Sequence, residues 1–566
     1  MSTVVLLVAA SCGDPNCKPG QTACDGSCVD VEADPGNCGS CGHGCAVGEY
    51  CSAAVCAANC LAGTSVCGDA CVDLERDHDQ CGNCGHACAS GEVCNGGVCE
   101  SSCGSNTTCS DHCADLMTDN GDCGACGHVC TRGELCVMGT CSAPPIEHVV
   151  LIVEENHTFD SYFGAYCTAP AGSNPSCTTG RGCCEAAPAT EPSGSAPIAL
   201  DDTANEFKDR DHDGVCEVAQ IDGGLMDHYV VGSNVMVSLT EGIYTYECSD
   251  PNNFAIADAS TMQTYWTYAD RGALADRYFQ PMVGSTSGND MYLAVAQWQF
   301  ADNADRPITI GSGCLGPGAN ATEFGHIATV ADLLIGHGAT FRMYADGYAD
   351  AVAAAPACAS TAGVFPADCE ATERTSAFST CNYDPSDLPF EYYVQFADNK
   401  DHLSDFSQFA TDLGAGTLPS FAYIKPRTYT NEHPKWSTIS RGVTFVQNVV
   451  SAIESSAYAQ NTLILLTWDE GGGFYDHVSP PAALGTQYDK DDSGAPVPYG
   501  TRVPLIAIGP YAQSGAISHA TLEHSSIVRF LEENFLGARY AGALGHRDAA
   551  VADLRSLLVP STQVSP

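Results

Sequence analysis

Two unbroken apolar runs stand out along the chain, Val149-Val150-Leu151-Ile152-Val153 and Leu463-Ile464-Leu465-Leu466-Thr467-Trp468. Neither alternates with polar residues, so each predicts a strand covered on both faces, as in a parallel sheet. A third run, Val503-Pro504-Leu505-Ile506-Ala507-Ile508-Gly509-Pro510, has the same character, and Pro504 places it near an edge or at the strand's start. Ile527, Phe530, Leu531 and Phe535 fall at i, i+3, i+4 and i+8, which is helical spacing. Strands alternating with helices predict an α/β fold with a mostly parallel sheet, whose sites gather at the carboxyl ends of its strands.

The chain before Ser142 has another texture. It holds almost no Ile, Phe or Trp, yet 25 of the 35 cysteines. Three units repeat every 43 residues, beginning at Cys17, Cys60 and Cys103, and each contains a CGxCGHxC core. A unit of that length cannot build an apolar core, so cross-links must replace it. Eight cysteines per unit predict four disulfides, of unreadable connectivity. The competing reading makes the CxxC steps and His43, His86 and His128 zinc ligands. The segment after Ser142 holds ten further cysteines, which leaves Cys12 without a partner. Cys12 ends the run Val4–Ser11 and resembles the lipidated cysteine of a bacterial lipoprotein signal; a plain secretory signal or an apolar first strand is the alternative. Either signal reading predicts a secreted or cell-surface protein, and so does the cysteine content. The expected division is residues 1–12 as signal, 13–142 as repeats and 146–560 as the α/β domain, with Ser142-Ala143-Pro144-Pro145 as a stiff junction.

Charge narrows the partners. With 22 basic and 69 acidic residues the net charge is -47, which argues against nucleic acid and against electrostatic capture by anionic membrane. Membrane association is expected only through a lipid anchor; the repeats' partner is not readable. Both interior strands, however, stop at acids: Glu154-Glu155-Asn156 after the first, Asp469-Glu470 and three glycines after the second. Brought together at one sheet edge, such a cluster repels itself unless a cation neutralises it, and oxygen ligands suit a hard divalent metal. Taken singly, acids at strand ends usually solvate loops or cap helices.

Residues 154–164, EENHTFDSYFG, resemble the ENRSFDxYFG signature of the bacterial phosphoesterase family that contains phospholipases C and acid phosphatases. Further blocks follow in the family's order: Gly223–Asp227, Gly284–Leu293, Glu432-His433-Pro434, Trp468–Val478, Arg502-Val503-Pro504 and Glu523–Leu531. The resemblance spans roughly 146–540 and implies an alkaline-phosphatase-like α/β fold, one divalent metal (Ca, Mg or Zn) and a hydroxyl nucleophile. It implies Glu155, Asn156, Asp469 and Glu470 as metal ligands and Thr286 as nucleophile and ligand. A metal would lower the hydroxyl's pKa and neutralise phosphoryl charge. Gly284 and Gly288 flank Thr286 and let backbone approach a phosphate. His212 takes the position of the family's active-site histidine. His433 is the second candidate on the phosphate side and His477, after Asp476, the third. A rival for His212 is the DxDxDG calcium-loop pattern at Asp209–Gly214, whose twelfth position is Gln220 rather than Glu.

Three departures bear on activity: His157 stands where the family has Arg, Ser285 and Gly288 where it has prolines, and Asp290 where it has Arg. The expected function is an exported phosphoric ester hydrolase acting on a phospholipid or phosphate monoester through a phosphothreonine intermediate. The alternative is a surface adhesion or binding protein with a degenerate phosphoesterase domain. Cysteine-bearing insertions at Tyr166–Leu200 and Ala351–Asp384 are expected to be disulfide-tied surface loops.

Overall fold

The structure is a computed structural model that describes residues 22–559 except 25–26, 32, 47–48, 53–54, 58–59, 61–63, 69, 105, 110–111, 120, 129, 131–134, 143–145, 240–241, 313–319 and 354–382. Cys12, Cys17, Cys314 and most of the second insertion, with Cys358, Cys369 and Cys381, lie outside the described residues. The chain divides into two compact units, Met1–Pro144 with two short later segments and the remainder from Pro145.

Short hairpins of three-residue strands build the first unit, such as Ser65–Cys67 with Ala70–Val72 and Val93–Asn95 with Val98–Glu100. Strands this short cannot hold a fold alone; cysteines do so. In the second repeat Cys60 joins Cys71, Cys67 joins Cys84, Cys81 joins Cys94 and Cys88 joins Cys99. The third repeat has the same pairing, first to third, second to fifth, fourth to seventh and sixth to eighth cysteine. Three pairs of the first repeat follow it, at Cys24–Cys41, Cys38–Cys51 and Cys45–Cys56. The zinc reading therefore fails at these cysteines, because their sulfurs are bonded to one another. The repeated histidines bind backbone instead: Nδ1 of His43, His86 and His128 lies 2.7, 2.7 and 2.6 Å from the carbonyls of Cys38, Cys81 and Cys123. Repeats two and three also share a sheet, where Cys94 pairs in parallel with His112, and Arg76 of one reaches Asp119 of the other.

The second unit is built on a sheet of eight strands: β1 His148–Glu154, β2 Ala273–Ala275, β3 Phe341–Ala345, β4 Leu403–Asp405, β5 Phe421–Lys425, β6 Thr462–Trp468, β7 Leu505–Ile508 and β8 Ala516–Ser518. Their spatial order is β4-β3-β5-β1-β6-β7-β2-β8. All neighbours are parallel except that β7 runs antiparallel to both β6 and β2. The expected mostly parallel α/β sheet is present. The third apolar run is an interior strand, and Pro504 sits just before its first residue, where a missing N–H costs least. Val149 to Val153 are fully buried, as an unbroken apolar run requires.

Helices cover the sheet, notably α1 Phe159–Phe163, α2 Gly214–Ile221, α3 Ala259–Arg271, α4 Thr286–Asp290, α5 Ile439–Glu454 and α6 His524–Leu536. In α5, Thr438 caps the first turn by accepting from the Arg441 N–H, and Ile439, Val443, Val446, Val450 and Ile453 form the buried stripe. Helix α3 packs against α5 and β7. No helix among the described residues is long and apolar enough to cross a membrane. The first insertion is tied by Cys167–Cys184 and Cys177–Cys183.

Candidate active site

Register explains why residues more than three hundred positions apart meet. Strands β1 and β6 run parallel with Glu154 opposite Trp468, so the next residues, Glu155-Asn156 and Asp469-Glu470, leave the sheet side by side. Strand β5 pairs Ile424 with Ile152 on the other flank of β1, which delivers Lys425 to the same edge.

Asn156 takes the left-handed conformation, φ 65°, and its N–H donates to Asp469 Oδ1 at 2.9 Å. Its side-chain amide donates to Glu470 Oε1. The tight turn requires Gly472, φ 62°, since a Cβ there would strike the Asn156 carbonyl. Glu155 receives Lys425 Nζ at 3.0 Å and the Asn431 amide at 2.8 Å. Thr286 opens α4, and its hydroxyl faces the Asp469 carboxylate. The turn before it is held by Glu217, which accepts from the Gly284 N–H at 2.7 Å and the Thr501 N–H at 2.9 Å. Gly284 itself has φ 116°, and a Cβ there would strike the Asp302 carboxylate.

All five predicted ligands are buried, Thr286 at 5% exposure being the most open. Burial raises Asp469 to about 6, with Glu155 adding repulsion; burial also raises Glu470 well above the carboxylate range. Burial pushes Glu155 up too, but Lys425 and His433 outweigh it and hold its carboxyl low. Asn156 Oδ1 and Asp469 Oδ2 are buried with no hydrogen-bond partner. Orphaned oxygens among repelling carboxylates are the donor set a hard divalent cation satisfies, so the residues fit the metal that the family resemblance implies.

Two of the three predicted histidines flank this cluster. His212 Nε2 lies 3.5 Å from Glu470 Oε1, and Nδ1 faces the Arg210 carbonyl at 2.5 Å. Burial pulls its pKa down, but Glu470 and Asp209 outweigh it and raise it to about 10. His433 Nε2 is 4.0 Å from Glu155 Oε2, and its ring is 6.4 Å from that of His212. His477 is differently placed. Its Nδ1 meets Asp160 at 2.8 Å and its Nε2 meets Glu185 at 2.9 Å, so both ring nitrogens are engaged by carboxylates. Asp160, Asp476 and His477 could themselves gather a metal, but Arg502 already bridges Asp160 and Asp476 at 3.0 and 2.8 Å. In that network Arg502 and His477 are each met by two carboxylates.

Two of the departures, His157 and Asp290, are fully buried. His157 is fully buried, stacked between Tyr162 and Phe474, and bonded through Nε2 to Asn205 at 3.0 Å. Burial lowers its pKa to about 3, so it stays neutral. Asp290 lies 3.7 Å from Lys425. Sequence reasoning missed Lys425, Asn431, Glu217 and Asp387, the last lying against Glu155. Lys425 had a signal, since Phe421–Lys425 is one more apolar run stopping at a charge. The others sit in loops or helices with no local mark.

Residues 146–536 match the sequence profile of the Phosphoesterase family, and 7–59, 52–102 and 95–144 each match that of the stigma-specific STIG1-like protein family. Similar curated proteins include the hemolytic phospholipase C of Pseudomonas aeruginosa, 26% identical over 74% of this chain and 57% of that protein. The phospholipase C B of Mycobacterium tuberculosis is 24% identical over 73% of this chain and 77% of that protein. The chain thus spans little more than half the length of the first and about three quarters of the second. Among solved structures, a phosphonate monoester hydrolase from Silicibacter pomeroyi aligns at 10% identity and TM-score 0.27 over 53% of this chain and 72% of that one.

Proposed function

The chain belongs to the Phosphoesterase family, and from that premise we propose that it is an exported, metal-dependent phosphoric ester hydrolase with Thr286 as nucleophile. The observation that supports this best is the meeting at one carboxylate: the Asn156 N–H and the Thr286 hydroxyl, from opposite parts of the chain, both face Asp469. Glu155, Asn156, Asp469, Glu470 and Thr286 would hold the divalent ion, which when bound supplies charge neutralisation for the phosphoryl group.

Thr286 Oγ1 attacks phosphorus in line with the leaving alcohol; the Oγ1–P bond forms as the P–O bond to the alcohol breaks. The hydroxyl proton passes to Asp469, and His212 or His433 supplies the proton that the departing alkoxide takes. Water then cleaves the phosphothreonine and restores the hydroxyl. Phospholipids and phosphate monoesters are the substrate classes, and the names of the relatives favour the former. Paired cysteines in both units support an oxidising compartment; Cys12 is the proposed lipid anchor.

The test is turnover of p-nitrophenylphosphorylcholine and p-nitrophenyl phosphate with and without chelator. Thr286→Ala should lower kcat by about 10³-fold or more, as loss of a covalent nucleophile does, with circular dichroism unchanged. Equal turnover by the variant would refute the assignment.

A further inference from the structure

Lys425 is a buried cation outside every motif that marks this site. It is 3% exposed. Its Nζ stands 3.0 Å from Glu155 Oε1 and 3.7 Å from Asp290 Oδ2. Asp290 is the last residue of the five-residue helix that Thr286 begins, is fully buried, and has no hydrogen-bond partner for either oxygen. Lys425 Nζ is the cation that faces it. Lys425 comes from a different element, the end of β5, which lies beside β1 and so next to Glu155.

We propose that Lys425 is a positioning residue that fixes the Thr286 helix against the Glu155 strand, with Asp290 as its second anchor. One end of the link holds a carboxylate of the site. The other holds the C-terminal end of the helix whose first residue bears the hydroxyl. A five-residue helix has little stability of its own, so the direction in which Thr286 points depends on where that helix is tied. The link also gives Asp290 a partner where the family has a cation: an ammonium from β5 meets a carboxyl group from α4. This inference rests on Thr286 being the nucleophile.

The experiment is a charge-exchange cycle on the full chain: Lys425→Glu, Asp290→Arg, the two combined, and Lys425→Met as the neutral deletion. Turnover of p-nitrophenylphosphorylcholine and thermal midpoint are measured for each. Each single variant should lose about 10- to 100-fold in kcat, the range for removal of a supporting partner of a site, with KM changed less than about threefold. The exchanged pair should recover both kcat and Tm in part, because the guanidinium introduced at position 290 answers the carboxylate introduced at 425 while Glu155 loses its ammonium. Lys425→Met within about twofold of wild-type kcat would overturn the proposal. So would an exchanged pair no more active or stable than the worse single variant, including one that fails to fold. A wild type without turnover counts against the proposed function instead; the contact is then decided by Tm, where the exchanged pair must exceed both singles.

Discussion

In the repeats most of the buried positions among the described residues are half-cystines. Among the described residues before Pro144, the buried apolar side chains other than cysteine are Val93, Ala114 and Leu135. In the sheet unit the interior is built from Val, Ile, Leu, Phe and Tyr, and it also buries carboxylates, among them Glu155, Asp290, Asp469 and Glu470. The first region holds its shape by constraining the unfolded chain, the second by removing apolar surface from water. Only the second can afford to gather Glu155, Asp290, Asp469 and Glu470 in one place, because a large apolar core offsets the cost of desolvating them. Chemistry therefore belongs where stability is in surplus, and the repeats offer a tough, charge-exposing surface instead.

Three measurements break or sharpen that contrast. Reduction should separate the regions most. With four disulfides in the second repeat and about 2–4 kcal/mol from each as a central range, thiol treatment should abolish the repeats' protease resistance while sheet-unit hydrogen-exchange protection persists in β1, β5 and β6. Loss of protection in both together would show that the sheet core does not stand alone.

The His477 cluster is a smaller and more specific test. Burial lowers the imidazole's pKa, but Asp160 outweighs burial and raises it from 6.5 to about 9. The stabilisation is then fully present below pH 6.5 and is lost as pH rises through about 9. It amounts to roughly 3 kcal/mol by linkage. His477→Gln should flatten the fall in urea midpoint between pH 6.5 and 9.5; an unchanged slope would place the titration elsewhere. The same substitution separates a structural His477 from a catalytic one, since a structural role leaves kcat near wild type under stabilising conditions.

The smallest effect is expected between the repeats. Arg76 is 31% exposed and its partner Asp119 6%, so Arg76→Ala should cost about 1 kcal/mol or less and lower the midpoint of the non-reduced repeats slightly. A loss comparable to that of a disulfide would mean that the salt bridge, rather than the pairing of Cys94 with His112, couples repeats two and three.

Several features were legible without coordinates. Unbroken apolar runs identified β1 and β6, because a strand covered on both faces has no reason to alternate. The i, i+3, i+4, i+8 spacing marked α6, and the 43-residue period marked the repeats. The order of motifs pointed to Glu155, Asn156, Asp469, Glu470, Thr286, His212 and His433, which the structure gathers at one edge of the sheet. The motif of His477 neighbours Glu470 in sequence, but the contacts of its ring nitrogens with Asp160 and Glu185 carried no local mark.

What the sequence alone determined is local and periodic: which segments are strands, which cysteines belong to a unit, and which acids end an apolar run. Backbone sterics and side-chain burial act over a few residues, so their record is written in neighbouring letters. Disulfide pairing, the reversed direction of β7 and the arrival of Lys425 between Glu155 and Asp290 were decided only in three dimensions. Each depends on strand order and register, which are fixed by the packing of the whole core and leave no mark on the residues beside them.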